Sequence, residues 1–99
     1  MHKAILLLKK IPKGKVTTYG ELARAAKTSA RAVGSIMRSN EHPDEYPCYK
    51  VVSADGNIGG YCGETSGKQI EKKIKLLKND GIEIKNGKIN LKKHLHKFN

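Results

Sequence analysis

Aromatic residues, cysteines and long apolar runs are scarce in this sequence, and each shortage excludes a class of protein. With one Phe and no Trp in 99 residues, aliphatic side chains must form most of a modest core. The two cysteines form no Cys-x-x-Cys pair and no cluster with histidine at zinc spacing, which predicts no metal site. The longest apolar run, AILLL at 4–8, is too short to span a membrane. We therefore expect one intracellular, cytoplasmic domain over residues 1–99, with reduced thiols.

Positive charge, in contrast, is abundant. Twenty Lys and Arg stand against nine Asp and Glu, which gives a net charge of +11. Such an excess favours a polyanionic partner, most often nucleic acid. The alternative is that a lysine-rich surface only keeps a small domain in solution, and charge alone does not choose between the two.

The hydrophobic pattern predicts a mostly α-helical single domain with a small β component, similar to a winged helix-turn-helix. A first short helix is expected over 2–10. Its inward-facing residues should be Ala4, Ile5, Leu7 and Leu8, which recur at helical spacing. The segment IPKGK ends it, because Pro and Gly break helices.

The next two predicted helices are typical of a helix-turn-helix. Thr18 and Glu21 have the spacing of a capping box, so the first should run from about Tyr19 to Ala26. The second is expected over 29–39, after a brief break. Its small residues leave the exposed face slim enough to approach DNA closely, although ordinary close packing of helices would explain them equally well.

A hairpin, a helix and a second hairpin are predicted in the second half of the chain. The strand VVS at 51–53 and the turn ADGNIGGY at 54–61 resemble a wing. The remaining elements are a polar loop at 41–47, a basic amphipathic helix at 67–80, a hairpin at 82–90 turning at Asn86-Gly87, and a basic tail at 91–99 that should fray.

One cysteine lies in an unusual setting, the stretch YPCYKVV at 46–52. Pro47 fixes one backbone angle just before Cys48, which suits a thiol that must point in one direction. Lys50 would share a face with Cys48 if the segment is extended, and a cation near a thiol favours the reactive thiolate. A lone cysteine is more often a buried apolar residue, so the pattern alone leaves both interpretations open.

Four segments, in this order, carry a resemblance to a known family: TTYGELA, ARAVGSIMRSN, PCYKVV and GNIGGY. From about residue 11 to residue 81, the chain resembles the C-terminal, active domain of the O6-alkylguanine-DNA alkyltransferases, the methylated-DNA–protein-cysteine methyltransferases. The family's N-terminal domain has no counterpart in the resemblance, so we expect the core to form without it.

The resemblance implies a DNA repair protein. Members of this family bind duplex DNA in the minor groove through the helix-turn-helix and rotate O6-alkylguanine out of the stack. The alkyl group would then pass irreversibly to Cys48, so that each molecule acts once as a methyltransferase. The expected partner is double-stranded DNA containing O6-alkylguanine; no cofactor and no membrane are expected, and the protein should act as a monomer.

The resemblance also assigns roles to residues. The expected catalytic residues are Cys48, Tyr49, Asp80 and Asn40; the expected substrate-binding residues are Tyr19, Met37, Val51, Tyr61 and Cys62; and the expected DNA-binding residues are Tyr19, Gly20, Arg31, Arg38 and Ala54. Arg31 would fill the space that the flipped base leaves, and Asn40 would brace the segment before the cysteine. The backbone carbonyls of Cys48 and Val51 would accept hydrogen bonds from the guanine amino group.

The chain departs from the family pattern directly after the cysteine. The family has histidine and then arginine, where this chain has Tyr49 and Lys50. A phenol with pKa near 10 is a poor proton acceptor, but it can relay a proton toward Asp80, which lies where the family has a carboxylate. The alternatives are that Tyr49 only packs, or that His42 acts as the base. Cys62, where the family has serine, is expected to be a small pocket residue.

Three functions therefore remain open at the level of the sequence. The first is the alkyltransferase acting once through Cys48. The second is a damage-recognition protein similar to the alkyltransferase-like group, which binds O6-alkylguanine in DNA without transfer. That group replaces the cysteine that this chain keeps. The third is a plain winged-helix DNA-binding protein, which would leave Tyr19, Arg31 and Cys48 unexplained together.

Overall fold

The computed structural model describes residues 2–42, 45–58 and 67–98, which contain five α-helices, two 3₁₀ turns at Leu8–Lys10 and Cys48–Lys50, and two small β pairs. The helices are α1 (Lys3–Leu7), α2 (Tyr19–Ala26), α3 (Ala30–Arg38), α4 (Lys68–Asn79) and α5 (Leu91–His94). The strands are β1 (Thr17–Thr18), β2 (Val51–Val52), β3 (Ile84–Lys85) and β4 (Lys88–Ile89). The mostly helical fold is confirmed. Within the described residues, every helix is too short or too polar to cross a bilayer.

Hydroxyl caps set the starts of the two central helices. The Thr18 Oγ accepts a hydrogen bond from the Glu21 backbone N–H at 3.1 Å, and α2 has the predicted bounds. Ser29 caps α3 in the same way, accepting from the N–H of Ala32 at 3.1 Å. The carboxylate of Glu21, the expected second half of the capping box, instead bonds Arg24 at 3.3 Å. The two-helix motif therefore stands where the sequence predicts it.

Strand β2 pairs in parallel with β1, joining Thr17 to Val51 and Thr18 to Val52. The sequence did not predict this partner. The turn predicted after β2 is present, since the Ser53 N–H donates to the Asn57 carbonyl at 2.9 Å, and the last part of that predicted turn, residues 59–61, lies outside the described residues. Valines that are completely buried suit a strand covered on both faces, which favours a parallel pairing inside the core over an exposed hairpin.

The second hairpin forms as predicted. Strands β3 and β4 pair antiparallel, with Ile84 opposite Ile89. Asn86 and Gly87 both have positive φ, at 52° and 74°, which is the backbone of a two-residue primed turn. Gly56 lies against this hairpin with φ of 91°, and a Cβ there would come within 2.7 Å of the Ile89 carbonyl oxygen, so only glycine fits.

The C-terminal tail is docked, and the prediction that it frays is wrong. Residue Val16 forms a parallel bridge with Leu95. Its N–H donates to the His94 carbonyl at 2.8 Å, and its carbonyl accepts from the His96 N–H at 2.7 Å. The sequence did not predict this pairing because the tail is rich in lysine. In the structure the lysines are exposed, while His94 is buried.

Two apolar clusters hold the fold together. The first joins α1, α2 and α3 to the cysteine segment, and the second joins β2 to α4 and the second hairpin. The first cluster contains Ala4, Ile5, Leu7, Leu8, Ile11, Leu22, Ala23, Val33, Met37, Cys48 and Val51. The second contains Val16, Val52, Ile58, Leu77, Ile82 and Ile89. The inward face predicted for the first helix is confirmed.

Candidate active site

The segment that carries the cysteine, residues 46–50, is a tight turn that we call the thiol turn. Pro47 has φ of −75° and ψ of 76°, and the Cys48 N–H donates to the Tyr46 carbonyl at 2.8 Å. This is an inverse γ-turn, and a 3₁₀ turn over Cys48–Lys50 follows it. Because the segment is coiled and not extended, the expectation that Lys50 shares a face with Cys48 is wrong.

Asn40 ties the thiol turn to the end of α3. Its side-chain N–H donates to the Tyr46 carbonyl at 2.8 Å, the same oxygen that accepts from Cys48. Its side-chain oxygen accepts from the His42 N–H at 3.1 Å. Asn40 therefore lies where a side chain can brace the segment that precedes the cysteine. His42, the alternative base, is exposed.

A buried ion pair holds the other end of the thiol turn. Lys50 Nζ lies 2.9 Å from Asp80 Oδ2, and the two side chains are 5% and 12% exposed. The same ammonium donates to the Pro12 carbonyl at 3.1 Å, and the same carboxylate accepts from the Gly14 N–H at 3.0 Å. Asp80, the carboxylate predicted to end a proton relay, is thus bound to the Lys50 ammonium. Together the two residues hold the thiol turn, the end of α4 and residues 12–14 against one another.

Two tyrosines near the thiol turn, Tyr49 and Tyr19, are neutral phenols. Burial raises the pKa of Tyr49, and the charge of Asp80 raises it further. Burial likewise raises the pKa of Tyr19, and the nearby Cys48 adds to that effect. Both phenols are therefore protonated at neutral pH. Tyr49 can pass on a proton that it receives, but it cannot act as a base by itself.

Lys73 of α4 is the residue that sequence reasoning missed. Its side chain is 0% exposed, and its Nζ donates to the carbonyls of Val51 at 2.8 Å and Ile58 at 2.6 Å. Burial lowers its pKa from 10.5 to about 8, while interaction with Cys48 acts in the opposite direction. A signal existed in the sequence, since Lys73 occupies the apolar stripe three residues after Ile70, but the four other lysines of the helix hid it.

The thiol lies next to the predicted recognition helix. Cys48 is 6% exposed and belongs to the same apolar cluster as Val33 and Met37 of α3, with Tyr19 packed against it. Four of the residues predicted to contact DNA are exposed: Gly20, Arg31, Arg38 and Ala54. The structure thus brings together a buried thiol, a half-buried phenol and a helix whose arginines face solvent.

Two predicted pocket residues, Tyr61 and Cys62, lie outside the described residues. Among residues 2–42, 45–58 and 67–98, no three His, Cys, Asp or Glu side chains are grouped so that they could hold a metal ion.

Comparison with known proteins gives the family. The model of the 6-O-methylguanine DNA methyltransferase DNA-binding domain matches residues 1–82. The chain belongs to this family. The predicted resemblance is therefore confirmed. The family is one of proteins that repair or recognise O6-alkylguanine in DNA.

Longer relatives contain this family domain as a part. A bifunctional methyltransferase/endonuclease of Picrophilus torridus is 48% identical over 90 residues, covering 89% of this chain and 28% of its own length. A methylated-DNA–protein-cysteine methyltransferase of Thermococcus kodakarensis is 47% identical over 77 residues, covering 78% of this chain and 41% of its own. The chain thus spans less than half the length of these two curated relatives.

Solved structures show the same fold. Atl1 from S. pombe, in complex with damaged DNA containing O6-carboxymethylguanine, superposes with a TM-score of 0.83 at 28% identity, over 96% of this chain and 92% of its own. The O6-methylguanine-DNA methyltransferase of Pyrococcus kodakaraensis superposes with a TM-score of 0.70 at 43% identity, over 81% of this chain and 44% of its own.

Proposed function

We propose that this protein repairs DNA by moving the alkyl group of O6-alkylguanine onto its own Cys48. The observation that carries the proposal is the position of the thiol, which is fixed by the thiol turn against the helix-turn-helix. A nucleophile needs a defined direction of attack, and an inverse γ-turn braced by Asn40 supplies one. The reaction consumes the thiol, so the protein acts once and is a reagent as much as an enzyme.

The recognition surface is proposed to be the exposed face of α3. Arg31 and Arg38 are seven residues apart on one face, with Gly34 between them, so the backbone of this face can approach DNA closely. A Cβ at Gly34 would meet no described atom within 4 Å. Arg31 is proposed to fill the gap that the flipped guanine leaves, and Gly20 and Ala54 to contact the duplex beside it. Unstacking costs a few kcal/mol and is least costly for a weakly paired lesion, which favours damaged sites.

The pocket for the flipped base is proposed to lie between Tyr19 and the thiol turn. Tyr19 is half-buried and packs against the apolar cluster that contains Cys48, and its phenol is proposed to contact a base placed at the sulfur. The Val51 carbonyl already accepts one hydrogen bond from Lys73 and retains a second lone pair for the guanine amino group. Met37 would form an apolar wall, and Tyr61 and Cys62 the opposite one.

The test is the mass of the intact protein after incubation with a duplex containing O6-methylguanine. The proposal predicts a gain equal to one methylene group for the natural protein, and no gain for Cys48→Ala or with undamaged duplex. Both forms of the protein should bind the damaged duplex, because Cys48→Ala removes only the nucleophile. A natural protein that binds the lesion without gaining mass would contradict the proposal.

A second candidate function is recognition of O6-alkylguanine without transfer. The likeness to Atl1 favours it, because 92% of that chain is matched and its complex holds O6-carboxymethylguanine DNA. Tyr49 in place of histidine favours it too, since no neutral imidazole follows the cysteine. The mass experiment separates the two functions directly, since lesion binding with no mass gain is the outcome of recognition alone.

A further inference from the structure

We propose that His94, in the C-terminal tail, positions the turn that carries Cys48. The inference rests on the proposed function only in taking Cys48 as the reacting group. His94 lies beyond residues 1–82, the part of the chain that the family model matches, so membership of the family gives it no role. It acts through a short turn, residues 12–15, that we call the junction turn.

The backbone of the junction turn is bound both to the thiol turn and to the tail. Its Pro12 carbonyl accepts from the Lys50 ammonium at 3.1 Å, and its Gly14 N–H donates to the Asp80 carboxylate at 3.0 Å. The Gly14 carbonyl oxygen lies 2.9 Å from Nδ1 of His94. The Lys50–Asp80 pair and the tail therefore hold the same turn.

The ring of His94 is fixed by a second hydrogen bond. Its Nε2 accepts from the Glu83 N–H at 3.3 Å, because a backbone N–H can only donate. The ring proton therefore lies on Nδ1, which donates it to the Gly14 carbonyl. His94 is 4% exposed, so water has little access to the ring.

Gly14 is the residue of the junction turn that most needs this restraint. The Lys15 N–H donates to the Pro12 carbonyl at 3.2 Å, and Gly14, the third residue of the turn, has φ of 81°, as in a type II turn. Glycine populates positive and negative φ about equally well, so the peptide before Gly14 is free to flip and to turn the Gly14 N–H away from Asp80. By holding the carbonyl on the other side of Gly14, His94 restrains its backbone angles and keeps that N–H directed at the carboxylate.

The consequence for the thiol follows from what the junction turn holds. Lys50 is the last residue of the thiol turn, two residues after Cys48, and its ammonium is bound to the junction turn. Thr17, just after the junction turn, pairs with Val51 in the parallel strands β1 and β2. The tail thus holds a segment, residues 12–17, that contacts both the thiol turn and the strand that follows it. His94 is a positioning residue for Cys48.

The test separates the two hydrogen bonds of the ring with two matched variants. The side-chain nitrogen of asparagine lies near the position of Nδ1, so His94→Asn keeps the donor to Gly14 and loses the acceptor for Glu83. The side-chain oxygen of glutamine lies near the position of Nε2, so His94→Gln keeps the acceptor for Glu83 and loses the donor to Gly14. Each variant loses one hydrogen bond and part of the ring, so each is the control for the other.

The readout is the rate at which iodoacetamide labels Cys48 in the folded protein, with no DNA present. The tryptic peptide 39–50 reports this label, because it contains Cys48 and not Cys62. The thiol is 6% exposed, so labelling requires the turn to open locally. His94→Gln should raise the rate about fivefold, the effect of one lost hydrogen bond, and His94→Asn should stay within about twofold of the natural protein.

The order of the two variants decides the outcome. A labelling rate for His94→Gln that does not exceed the rate for His94→Asn would overturn the inference. Equal acceleration in both variants is one such result, and it would mean that the tail contributes only stability.

If either variant fails to fold, hydrogen exchange in the natural protein decides. The Gly14 and Val16 amides should open together, since the Val16 N–H donates to the His94 carbonyl at 2.8 Å and both amides then depend on the docked tail. A Gly14 amide that opens more than about tenfold as often as the Val16 amide would contradict the inference, because the turn would move while the tail stays docked.

The labelling experiment is independent of the mass experiment with damaged DNA. Labelling that depends on His94 in a protein that gains no mass would leave the inference standing and remove the transfer function. Mass gain in a protein whose labelling does not depend on His94 would do the reverse. Where both hold, His94→Gln should slow single-turnover transfer while its affinity for the damaged duplex is unchanged.

Discussion

The ammonium of Lys50 lies 2.9 Å from the carboxylate of Asp80, and both side chains are almost completely buried. This pair joins the residue at the end of the thiol turn to the end of α4, and its further hydrogen bonds reach Pro12 and Gly14. Three segments that are distant in sequence, around residues 12–14, 50 and 80, are thereby fixed around one charge pair. The pair therefore anchors the end of the turn that carries the thiol.

Lys50→Met should destabilise the protein by about 3 kcal/mol, because it leaves the buried Asp80 carboxylate without its cation. Urea denaturation measures the change. The control is Lys93→Met, which breaks the exposed pair with Glu83 at 3.4 Å and should change the unfolding free energy by less than about 0.5 kcal/mol. Equal losses for the two variants would show that the buried pair contributes no more than a surface contact.

Tyr49→Phe should slow transfer by less than about threefold, since a phenol that is neutral at neutral pH supplies no base. The rate is measured in a single turnover with excess protein over the damaged duplex. Tyr49→His should raise the rate if the lack of a base limits the ionisation of Cys48, and an unchanged rate would mean that another group already ionises it. A tenfold loss in Tyr49→Phe would instead restore the proton relay from Tyr49 toward Asp80, which stays a prediction.

Gly34→Ala should raise stability and weaken DNA binding at the same time. Alanine in place of a helical glycine stabilises by about 0.5–1 kcal/mol, and the added methyl group meets no described atom within 4 Å. The same methyl group would project from the face that carries Arg31 and Arg38 into the proposed contact with DNA. Thermal melting and the salt-dependent affinity for a damaged duplex give the two readings. Unchanged affinity would place the DNA on another surface.

His94→Ala should release the C-terminal tail. One ring nitrogen of His94 lies 2.9 Å from the Gly14 carbonyl oxygen, and the other accepts from the Glu83 N–H at 3.3 Å, so the substitution removes two partly buried hydrogen bonds. The expected cost is about 2 kcal/mol, with faster hydrogen exchange of the Val16 amide.

The control for the tail is His96→Ala, which removes a ring packed edge-on against Phe98 while the backbone bond of His96 to Val16 remains. It should cost less than half as much as His94→Ala. Unchanged exchange at Val16 in His94→Ala would show that backbone pairing holds the tail without the ring.

Raising the pH should stabilise the protein through Lys73. Its pKa is lowered on folding, so between about pH 8 and 10.5 the unfolded chain binds more protons than the native one, and stability rises with pH. In a Cys48→Ser background, the unfolding free energy relative to Lys73→Met should increase by about 2 kcal/mol from pH 7 to pH 9.5. No pH-dependent difference between the two proteins would mean that Lys73 is not a strained buried cation.

Local features of the fold were predictable, because they depend on residues close together in sequence. The cap at Thr18 fixed the start of α2, and the Asn86-Gly87 pair fixed the second hairpin. The parallel pairing of β1 with β2 and the docking of Leu95 beside Val16 were not predictable, because backbone groups without a side-chain signature make those contacts across 34 and 79 residues.

The candidate site likewise has a part that the sequence predicts and a part that only the fold reveals. The motif around Cys48 indicated the nucleophile and the helix beside it. The cations at the site could not be assigned from the sequence, since many lysines have similar neighbours and only the fold decides which are buried. Lys50 is paired with Asp80, and Lys73 is buried although it belongs to a helix that is rich in lysine.

The most direct test of the account is the mass of the peptide that contains Cys48 after reaction with excess duplex carrying a single O6-methylguanine. The account predicts that this peptide gains one methylene group in every reactive molecule, while the DNA returns to unmodified guanine. An unmodified Cys48 peptide from a protein that has bound the damaged duplex would contradict it.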